Sequence, residues 1–455
     1  MIPMDLGFES GFSDFDVDVE EVEVKKVKKY DRIWHIKEGG SIYQKPTIHE
    51  GVMYFGAMDS CVYAVDAESG KEIWRTKLEG PVMGSCPLVR GNVIYIGSYA
   101  YDFYALNRET GKIVWRFRTG GEVISTPAVW NDKIYFCSGD GYAYCLDLEG
   151  KPVWKFKTGD KVASSPAVAE GKVVFGSFDD NYYCLDAETG EELWRFKTGA
   201  EIWQVNPVLI KEGRVYCSSF DNHVYCLDLE TGREIWRFKT GKYGNSSAPV
   251  YYKGLLYHGT RDGIMYCLTL EGKELWRFKC REAMDCGVGH EGMFLFVNGD
   301  GFLYALDAKT GKELWRFRTG TVNYHFPTVW EGKIYFSSWD CHIYAIDLEG
   351  KELWRFASSN LRESEIPPTY GAWKMEIKKS STDEETIEDE KYREKKEESV
   401  SLSDYHVTSE YSTTSEYKQK SDYDTSFVMF EDVLEGEDIW TSDSRDLRPR
   451  SLTLR

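Results

Sequence analysis

A tryptophan recurs about every 40 residues through most of this 455-residue chain. Nine tryptophans form the series, at spacings of 39 to 42 residues: Trp34, Trp74, Trp115, Trp154, Trp194, Trp236, Trp276, Trp315 and Trp354. Each stands in a phrase such as KEIWRTK or ELWRFKTG. A fixed period of this length is the signature of a repeat architecture, in which each repeat is one structural unit stacked on its neighbours.

Each repeat contains the same parts in the same order. A proline opens most units, and an apolar run such as KIYF (133–136) follows it. A turn such as Gly139-Asp140-Gly141, a run ending in YALD or YCLD and the tryptophan phrase complete the unit. Four short strands in about 40 residues predict one propeller blade, and Asp-Gly turns favour two-residue hairpins with positive φ. Counting units from Pro46 predicts an all-β, eight-bladed propeller of four-stranded antiparallel blades, with seven blades as the alternative.

The way in which the ring closes stays open at this stage. Nine tryptophan strands for eight units leave one strand over. Either the strand around Trp34 forms the outer strand of the last blade, or the strand around Trp354 completes that blade and Trp34 is peripheral.

The tryptophan phrase resembles that of a known family. The pattern A-[LIV]-D-x-x-[ST]-G-K-x-[LIV]-W stands here as Ala64-Val65-Asp66, Gly70-Lys71 and Trp74, and it recurs with Trp315. It is similar to the tryptophan-docking repeat of PQQ-like propellers, which include quinoprotein alcohol dehydrogenases and non-enzymatic relatives. The resemblance covers about residues 30–357. It implies an eight-bladed propeller in which a tryptophan locks each blade to the next: Trp74, Trp115, Trp154, Trp194, Trp236, Trp276, Trp315 and Trp354.

Composition and charge divide the chain into three parts. Residues 1–29 form an acidic N-terminal extension, residues 30–360 the propeller, and residues 361–455 a tail rich in Ser, Thr and Tyr that is predicted to be largely disordered. The tail carries a net charge of −10 out of the total of −19. The acidic balance argues against a nucleic-acid partner. With no apolar run of about 18 residues and no secretory signal, we expect no membrane span and a cytoplasmic location.

The tail contains a second, shorter repeat. The triplets S-D-Y, S-E-Y, S-E-Y and S-D-Y recur every six residues, with their tyrosines at Tyr405, Tyr411, Tyr417 and Tyr423. This motif is consistent with binding to a basic groove, with phosphorylation, or with a solvated spacer. Downstream, Phe427, Phe430 and Leu434 fit one face of a helix, so 426–440 is a candidate docking helix for a partner groove.

Sequence motifs for catalysis or metal binding are weak throughout. The G-x-G-x-x-G match at 287–292 lies in a predicted strand and turn rather than in a βαβ unit. The histidines have no metal-ligand spacing. One position per blade is alanine in four repeats and cysteine in the other four, which indicates a small buried side chain rather than redox chemistry: Ala64, Ala105, Cys145, Cys184, Cys226, Cys267, Ala305 and Ala345. We therefore predict no catalytic residue, no metal and no cofactor.

Functional residues in a repeat protein are expected where the repeats diverge. The divergent positions lie in the hairpins between the second and third strands and in the loops before each proline. In a four-stranded up-and-down blade these two sets open on one face, and large aromatic residues there suit a protein or peptide partner. The candidate binding residues are Tyr43, Gln44, Phe178, Trp203, Gln204, Asn206, Phe220, Tyr243, Asn245, Arg261, Asp285, Tyr324, His325 and Trp339.

These observations favour a non-enzymatic scaffold that binds a protein or peptide on this face, with the tail recruiting or regulating a second partner. The resemblance implies an alternative, a dehydrogenase using pyrroloquinoline quinone (PQQ) and calcium. Those enzymes carry adjacent cysteines beside the cofactor, and no two cysteines are adjacent here. Two further alternatives are a small-ligand sensor of a signalling system and an accessory propeller similar to the outer-membrane assembly lipoprotein.

Overall fold

The computed structural model describes residues 41–203, 206–282, 287–320 and 326–358 and the strand Gly371–Lys374. Within these ranges the chain forms eight antiparallel sheets, one for each repeat, and each is built outward in chain order from an inner to an outer strand. The inner strands of most successive blades adjoin one another, including those of the first and last blades. The predicted eight-bladed propeller is confirmed.

The strands have nearly constant lengths around the ring. The inner strands are Thr47–His49, Leu88–Arg90, Ala128–Trp130, Ala167–Ala169, Leu209–Lys211, Val250–Tyr252, Val288–His290 and Thr328–Trp330. The second strands are Val52–Gly56, Val93–Gly97, Lys133–Ser138, Lys172–Gly176, Arg214–Ser219, Leu255–Gly259, Met293–Val297 and Lys333–Ser337. The third strands are Cys61–Asp66, Asp102–Asn107, Tyr142–Asp147, Asn181–Asp186, His223–Asp228, Ile264–Thr269, Phe302–Asp307 and His342–Asp347. The outer strands are Glu72–Lys77, Ile113–Arg118, Pro152–Lys157, Glu192–Lys197, Glu234–Lys239, Glu274–Lys279, Glu313–Arg318 and Glu352–Ala357.

The core lies between blades rather than within them. Val174 and Cys184 of blade 4 pack in one buried cluster with Val215 and Tyr225 of blade 5. Because both faces of each blade are covered by a neighbour, the second and third strands are apolar along almost their whole length instead of alternating.

The hairpin between the second and third strands is one residue longer than the Asp-Gly pairs predict. Ser138 pairs with Tyr142, which leaves the three-residue loop 139–141. Gly141 has a φ of +81°, whereas Asp140 has no positive φ. A three-residue loop needs the left-handed conformation only at its last position, so the prediction of a two-residue hairpin was wrong.

Every outer strand contains a β-bulge. In blade 4, Cys184 pairs with Trp194 and Leu185 pairs with Glu192, so Leu193 lies in the bulge without a partner. The bulge leaves an aliphatic side chain exposed beside the docking tryptophan in every blade: Ile73, Val114, Val153, Leu193, Ile235, Leu275, Leu314 and Leu353. A bulge interrupts the ladder and bends the edge strand, so only the part after the bulge offers a regular edge.

The ring closes through side-chain contacts between complete blades. Blade 8 draws all four of its strands from its own repeat, ending with the strand that carries Trp354. The Trp354 indole N–H donates a hydrogen bond to the Glu68 carbonyl of blade 1 over 3.1 Å. The Thr328 hydroxyl of blade 8 donates to the Pro46 carbonyl over 2.6 Å. Trp354 therefore completes the last blade, and Trp34 lies outside the described residues.

Blade 7 carries an additional strand that the repeat pattern does not predict. Residues Gly371–Lys374 pair antiparallel with its outer strand and extend the sheet to five strands. This segment lies in the part of the sequence assigned to the tail, beyond the last repeat.

Candidate functional site

The two divergent loop sets lie together on one face of the ring, which we call the variable-loop face. The backbone N–H of Phe178, in a hairpin of blade 4, donates to the Lys161 carbonyl in the loop that enters that blade. The same bond joins Phe220 to Glu201 in blade 5 over 3.2 Å. In both blades the hairpin is therefore fixed to the neighbouring loop by a main-chain bond, which does not depend on the side chain at the divergent position.

A recurring aspartate makes this face rigid. The Asp179 carboxylate accepts hydrogen bonds from the Tyr183 hydroxyl at 2.6 Å, the Gly159 amide at 2.7 Å and the Asn181 amide at 3.0 Å. Burial raises the pKa of Asp179, but these hydrogen bonds outweigh it and hold the pKa below its usual value. Asp140 and Asp221 make the corresponding bonds in blades 3 and 5.

An apolar strip crosses the variable-loop face over blades 2 to 5. We call it the aromatic strip, and it consists of Tyr99, Ile124, Ala163, Phe178, Trp203 and Phe220. The Trp203 ring lies 6.1 Å from the Phe178 ring, edge-on, and 6.0 Å from the Phe220 ring, stacked. The Arg261 guanidinium lies 5.4 Å from the centre of the Phe220 ring and ends the strip at blade 6. Trp203 is itself buried, and its partly exposed neighbours Phe178 and Phe220 present the surface.

A second aromatic pair lies where the ring closes. The Tyr43 and Trp339 rings are 4.6 Å apart, and the Ser41 hydroxyl donates to the Trp339 carbonyl over 3.0 Å. Tyr43 leads into blade 1 and Trp339 lies in a hairpin of blade 8. This pair therefore joins the first and last blades on the same face as the aromatic strip.

Three of the polar candidates are interior residues. Gln44, Asn206 and Asn245 are fully buried. The Gln44 amide donates to the Val82 carbonyl, and Asn245 accepts from the Thr240 hydroxyl and donates to the His223 carbonyl. In this structure Gln44 and Asn245 support the loops, and all three side chains are buried rather than facing a partner. Tyr243, by contrast, is 61% exposed. Gln204, Asp285, Tyr324 and His325 lie outside the described residues, as do all seven candidate tail residues from Tyr405 to Leu434.

Ile124 and Ala163 are members of the aromatic strip that the sequence analysis did not select. They occupy the same loop position as Trp203, immediately after a buried Val123, Val162 or Ile202. Alignment of this loop across blades would have revealed them, because the residue after a buried aliphatic changes from blade to blade.

The centre of the ring is filled near this face. Cys86 of blade 2 is fully buried and belongs to the apolar cluster of blades 6 to 8, which includes Phe326. Around it, the Cys86 amide donates to the Thr126 hydroxyl and the Thr126 amide donates to the Ser165 hydroxyl. The described residues contain no group of three or more His, Cys, Asp or Glu that could hold a metal ion. The described side chains at this position do not fit a planar quinone with a calcium ion beside it.

The tryptophans of the repeat contact the following blade on the opposite face. Their indole N–H groups donate to backbone carbonyls over 2.8 to 3.2 Å: Trp74 to Arg108, Trp115 to Leu148, Trp154 to Ala187, Trp194 to Leu229, Trp236 to Leu270 and Trp276 to Ala308. Trp315 is buried among residues of blades 7 and 8. These contacts join blade to blade and leave the variable-loop face free of structural tryptophans of the repeat.

The position that is alanine in four blades and cysteine in the other four is part of the core. All eight side chains there are fully buried. Burial raises the pKa of the Cys184 thiol to about 12 and that of Cys226 to about 11, so both stay protonated at neutral pH. Within the described part of the chain, no helix is long and apolar enough to cross a membrane.

Two family models match the chain, each over less than half of its length. The first, described as the β-propeller of the beta-alanine-activating enzyme, matches residues 64–280. The second, described as outer membrane protein assembly factor BamB, matches residues 261–371. Among solved structures, BamB from Moraxella catarrhalis has a TM-score of 0.57 at 20% identity, covering 65% of this chain and 91% of that one. The computationally designed Ika8 protein has a TM-score of 0.62 at 14% identity, covering 68% and 96%. At these identities the likeness concerns the fold alone.

Curated relatives match over a short stretch. Quinoprotein alcohol dehydrogenase PedE of Pseudomonas putida is 45% identical over 62 residues, which are 13% of this chain and 10% of the relative. Quinoprotein ethanol dehydrogenase of Pseudomonas aeruginosa is 41% identical over 64 residues, which are 14% and 10%. The chain thus matches about a tenth of the length of these relatives, a stretch of one to two repeats.

Proposed function

This chain is a PQQ-like β-propeller repeat protein. We propose that it is a non-enzymatic scaffold that binds a protein or peptide on its variable-loop face. One observation carries the proposal: the aromatic strip is continuous across the loops and hairpins of blades 2 to 5, at positions that differ from repeat to repeat. Residues that hold the fold together recur in most blades, whereas these do not.

The strip has the chemistry of a protein-binding surface. Aromatic rings and arginine dominate the energetics of such surfaces, and they do so where neighbouring residues hold them rigid. Phe178 and Phe220 are both held by Trp203, which is buried and does not reorient freely. Arg261 adds a cation at one end. We therefore expect a partner with an apolar anchor and a carboxylate next to it.

The comparisons support this kind of role. A family model described as outer membrane protein assembly factor BamB matches residues 261–371, which include the second part of the ring. The tail is the second part of the proposal, as an element that recruits or regulates another partner.

The quinoprotein dehydrogenase alternative receives less support. The sequence similarity to those enzymes is restricted to 62 and 64 residues, the length of one to two repeats. In addition, Cys86 and Phe326 occupy the centre of the ring. We therefore propose that the chain does not use PQQ.

Selection of peptides from a displayed library on the full-length protein tests the proposal. We expect enriched peptides to combine an aromatic or aliphatic anchor with an acidic residue. The variant Phe220→Ser/Arg261→Glu is expected to weaken their binding at least about tenfold, because aromatic and arginine contacts of this kind carry most of the binding energy of such surfaces. The matched control is Glu271→Lys, which changes an exposed residue on the opposite face. Equal affinities for the wild type and the strip variant would refute binding at the aromatic strip.

A further inference from the structure

The outer edge of each blade offers a short, regular site for an added strand. After the bulge, the outer strand of blade 7 continues as Trp315-Arg316-Phe317-Arg318. The added strand Gly371–Lys374 pairs with these four residues, from Lys374 opposite Trp315 to Gly371 opposite Arg318. The edge thus accepts a strand along the part that the bulge leaves regular.

The same edge is repeated around the ring with almost the same sequence. After their bulges, blades 4, 5 and 6 read W-R-F-K. Among the described residues, their outer strands end their sheets without a further strand. An open edge of this kind is a template for pairing with another extended segment.

These open edges present cations at fixed positions. The side chains of Arg195, Arg237 and Arg277 are 53% to 57% exposed, whereas that of Arg316, beside the added strand, is 20% exposed. Each exposed arginine lies near a tyrosine ring of the adjacent strand and pairs with a glutamate three residues before it. A carboxylate on an added strand would lie next to this cation on its open side.

The six-residue repeat of the tail has the complementary pattern. In S-[DE]-Y the acidic residue and the tyrosine are adjacent, so in an extended strand they face opposite sides of the sheet. The edge W-R-F likewise alternates an arginine with aromatic residues. In one antiparallel register Asp404 is opposite Arg195 and Tyr405 is opposite Trp194, which gives one pair of opposite charges and one aromatic pair, both favourable across strands.

We propose that the segment 403–423 of this same chain docks by strand addition on the open outer edges of the blades, with each S-[DE]-Y triplet a docking unit. The added strand Gly371–Lys374 fixes the start of the tail at the rim of blade 7. The 28 residues 375–402 that follow span up to about 95 Å when extended, which is long enough to reach neighbouring edges. Four triplets raise the effective concentration of the docking unit at the rim. This inference does not depend on the variable-loop face.

Hydrogen exchange of the full-length protein tests the proposal through charge reversal. The tail variant has Lys in place of Asp404, Glu410, Glu416 and Asp422. In this variant we expect the backbone amides of 195–197, 237–239 and 277–279 to exchange at least about fivefold faster than in the wild type, because an undocked edge strand opens locally. Adding Arg195→Glu, Arg237→Glu and Arg277→Glu to that variant is expected to restore protection. Substituting Ser412, Thr413 and Thr414 with Ala is the matched control and should change nothing.

Equal exchange at these edges in the wild type and the tail variant would overturn the proposal, as would failure of the reversed edge to restore protection. Cross-linking of mixed light- and heavy-isotope protein identifies the chain that supplies the segment. Links from the tail to 195–279 within one copy support the assignment, and links only between copies overturn it. An unchanged thermal midpoint of the ring shows that the tail variant is folded.

Discussion

At the scale of single residues, the seam between blades depends on a glycine in each turn that precedes an outer strand. Gly190 of blade 4 has a φ of +74°, and a Cβ atom there would lie 2.6 Å from the indole of Trp154 in blade 3. The backbone conformation therefore disfavours a side chain at Gly190, and so does the Trp154 indole against which the glycine packs.

Gly190→Ala should destabilise the fold more than Gly213→Ala. Gly213 has a similar φ of +68°, but a Cβ atom added there would have no neighbour within 4 Å, so alanine costs only the left-handed conformation, about 1 kcal/mol. At Gly190 displacement of Trp154 adds roughly 1–3 kcal/mol. Urea unfolding of the two variants measures the difference, and equal losses would mean that the tryptophan contact contributes nothing.

At the buried cysteine position, the polarity of the side chain is expected to matter more for stability than its size. Alanine occupies this position in four blades, so Cys184→Ala should cost less than about 1.5 kcal/mol in the free energy of unfolding. Cys184→Ser is nearly isosteric but buries a hydroxyl, which costs roughly 1–3 kcal/mol without a partner. Chemical denaturation compares the two, and a serine variant as stable as the alanine variant would contradict a purely apolar role.

At the scale of elements, the hairpins of the variable-loop face are held by a carboxylate. Because the pKa of Asp179 is lower in the folded chain than its usual value, the ionised group stabilises the fold above the unfolded pKa of about 4. That contribution is lost as the pH falls through the lower, folded pKa.

Asp179→Asn is therefore expected to reduce the loss of stability between about pH 5 and about pH 3, while lowering stability near neutral pH. Denaturant midpoints over this pH range measure both effects. The control is Asp160→Asn, which changes an exposed carboxylate in the neighbouring loop. If the denaturant midpoint of the variant falls with decreasing pH as steeply as that of the wild type, Asp179 is not a significant source of the pH dependence.

Most elements could be predicted from the repeat, because strands, turns and docking tryptophans recur at a constant spacing. Features set by three-dimensional contacts could not. The hairpin loop 139–141 has three residues instead of the two that Asp-Gly predicts, because only Gly141 has a positive φ. Gln44 and Asn245 are polar and divergent, which is typical of a surface, yet they support loops from inside. Local sequence does not distinguish these two situations.

At the scale of the whole molecule, the sequence left the closure of the ring undecided because Trp34 and Trp354 stand in similar phrases. The decision depends on which strand meets blade 1, and only the assembled ring shows that contact. The added strand on blade 7 was missed for a related reason. Its four residues share no motif with the repeat, and its place is determined by the free edge that it meets.

Among the described residues, blades 8 and 1 are joined by side-chain contacts and by no connecting loop, which makes this seam different from the others. Trp354 and Trp236 donate similar hydrogen bonds, to Glu68 at 3.1 Å and to Leu270 at 2.9 Å. Blades 5 and 6, however, are also joined by the chain segment 240–249, whereas the described chain enters at blade 1 and leaves at blade 8. Trp354→Ala and Trp236→Ala each remove one indole and should each cost roughly 3 kcal/mol of packing.

The two variants are expected to differ in how much of the propeller shows faster hydrogen exchange. Trp236→Ala leaves its blades tethered, so faster hydrogen exchange should stay near that seam. Trp354→Ala allows blades 1 and 8 to separate, because no short loop keeps their effective concentration high. We expect the inner strands Thr47–His49 and Thr328–Trp330 to exchange at least about tenfold faster in Trp354→Ala than in Trp236→Ala. Equally local effects in both variants would mean that the ring is not closed mainly by Trp354, and that other contacts of the seam, such as the Thr328–Pro46 hydrogen bond, hold it.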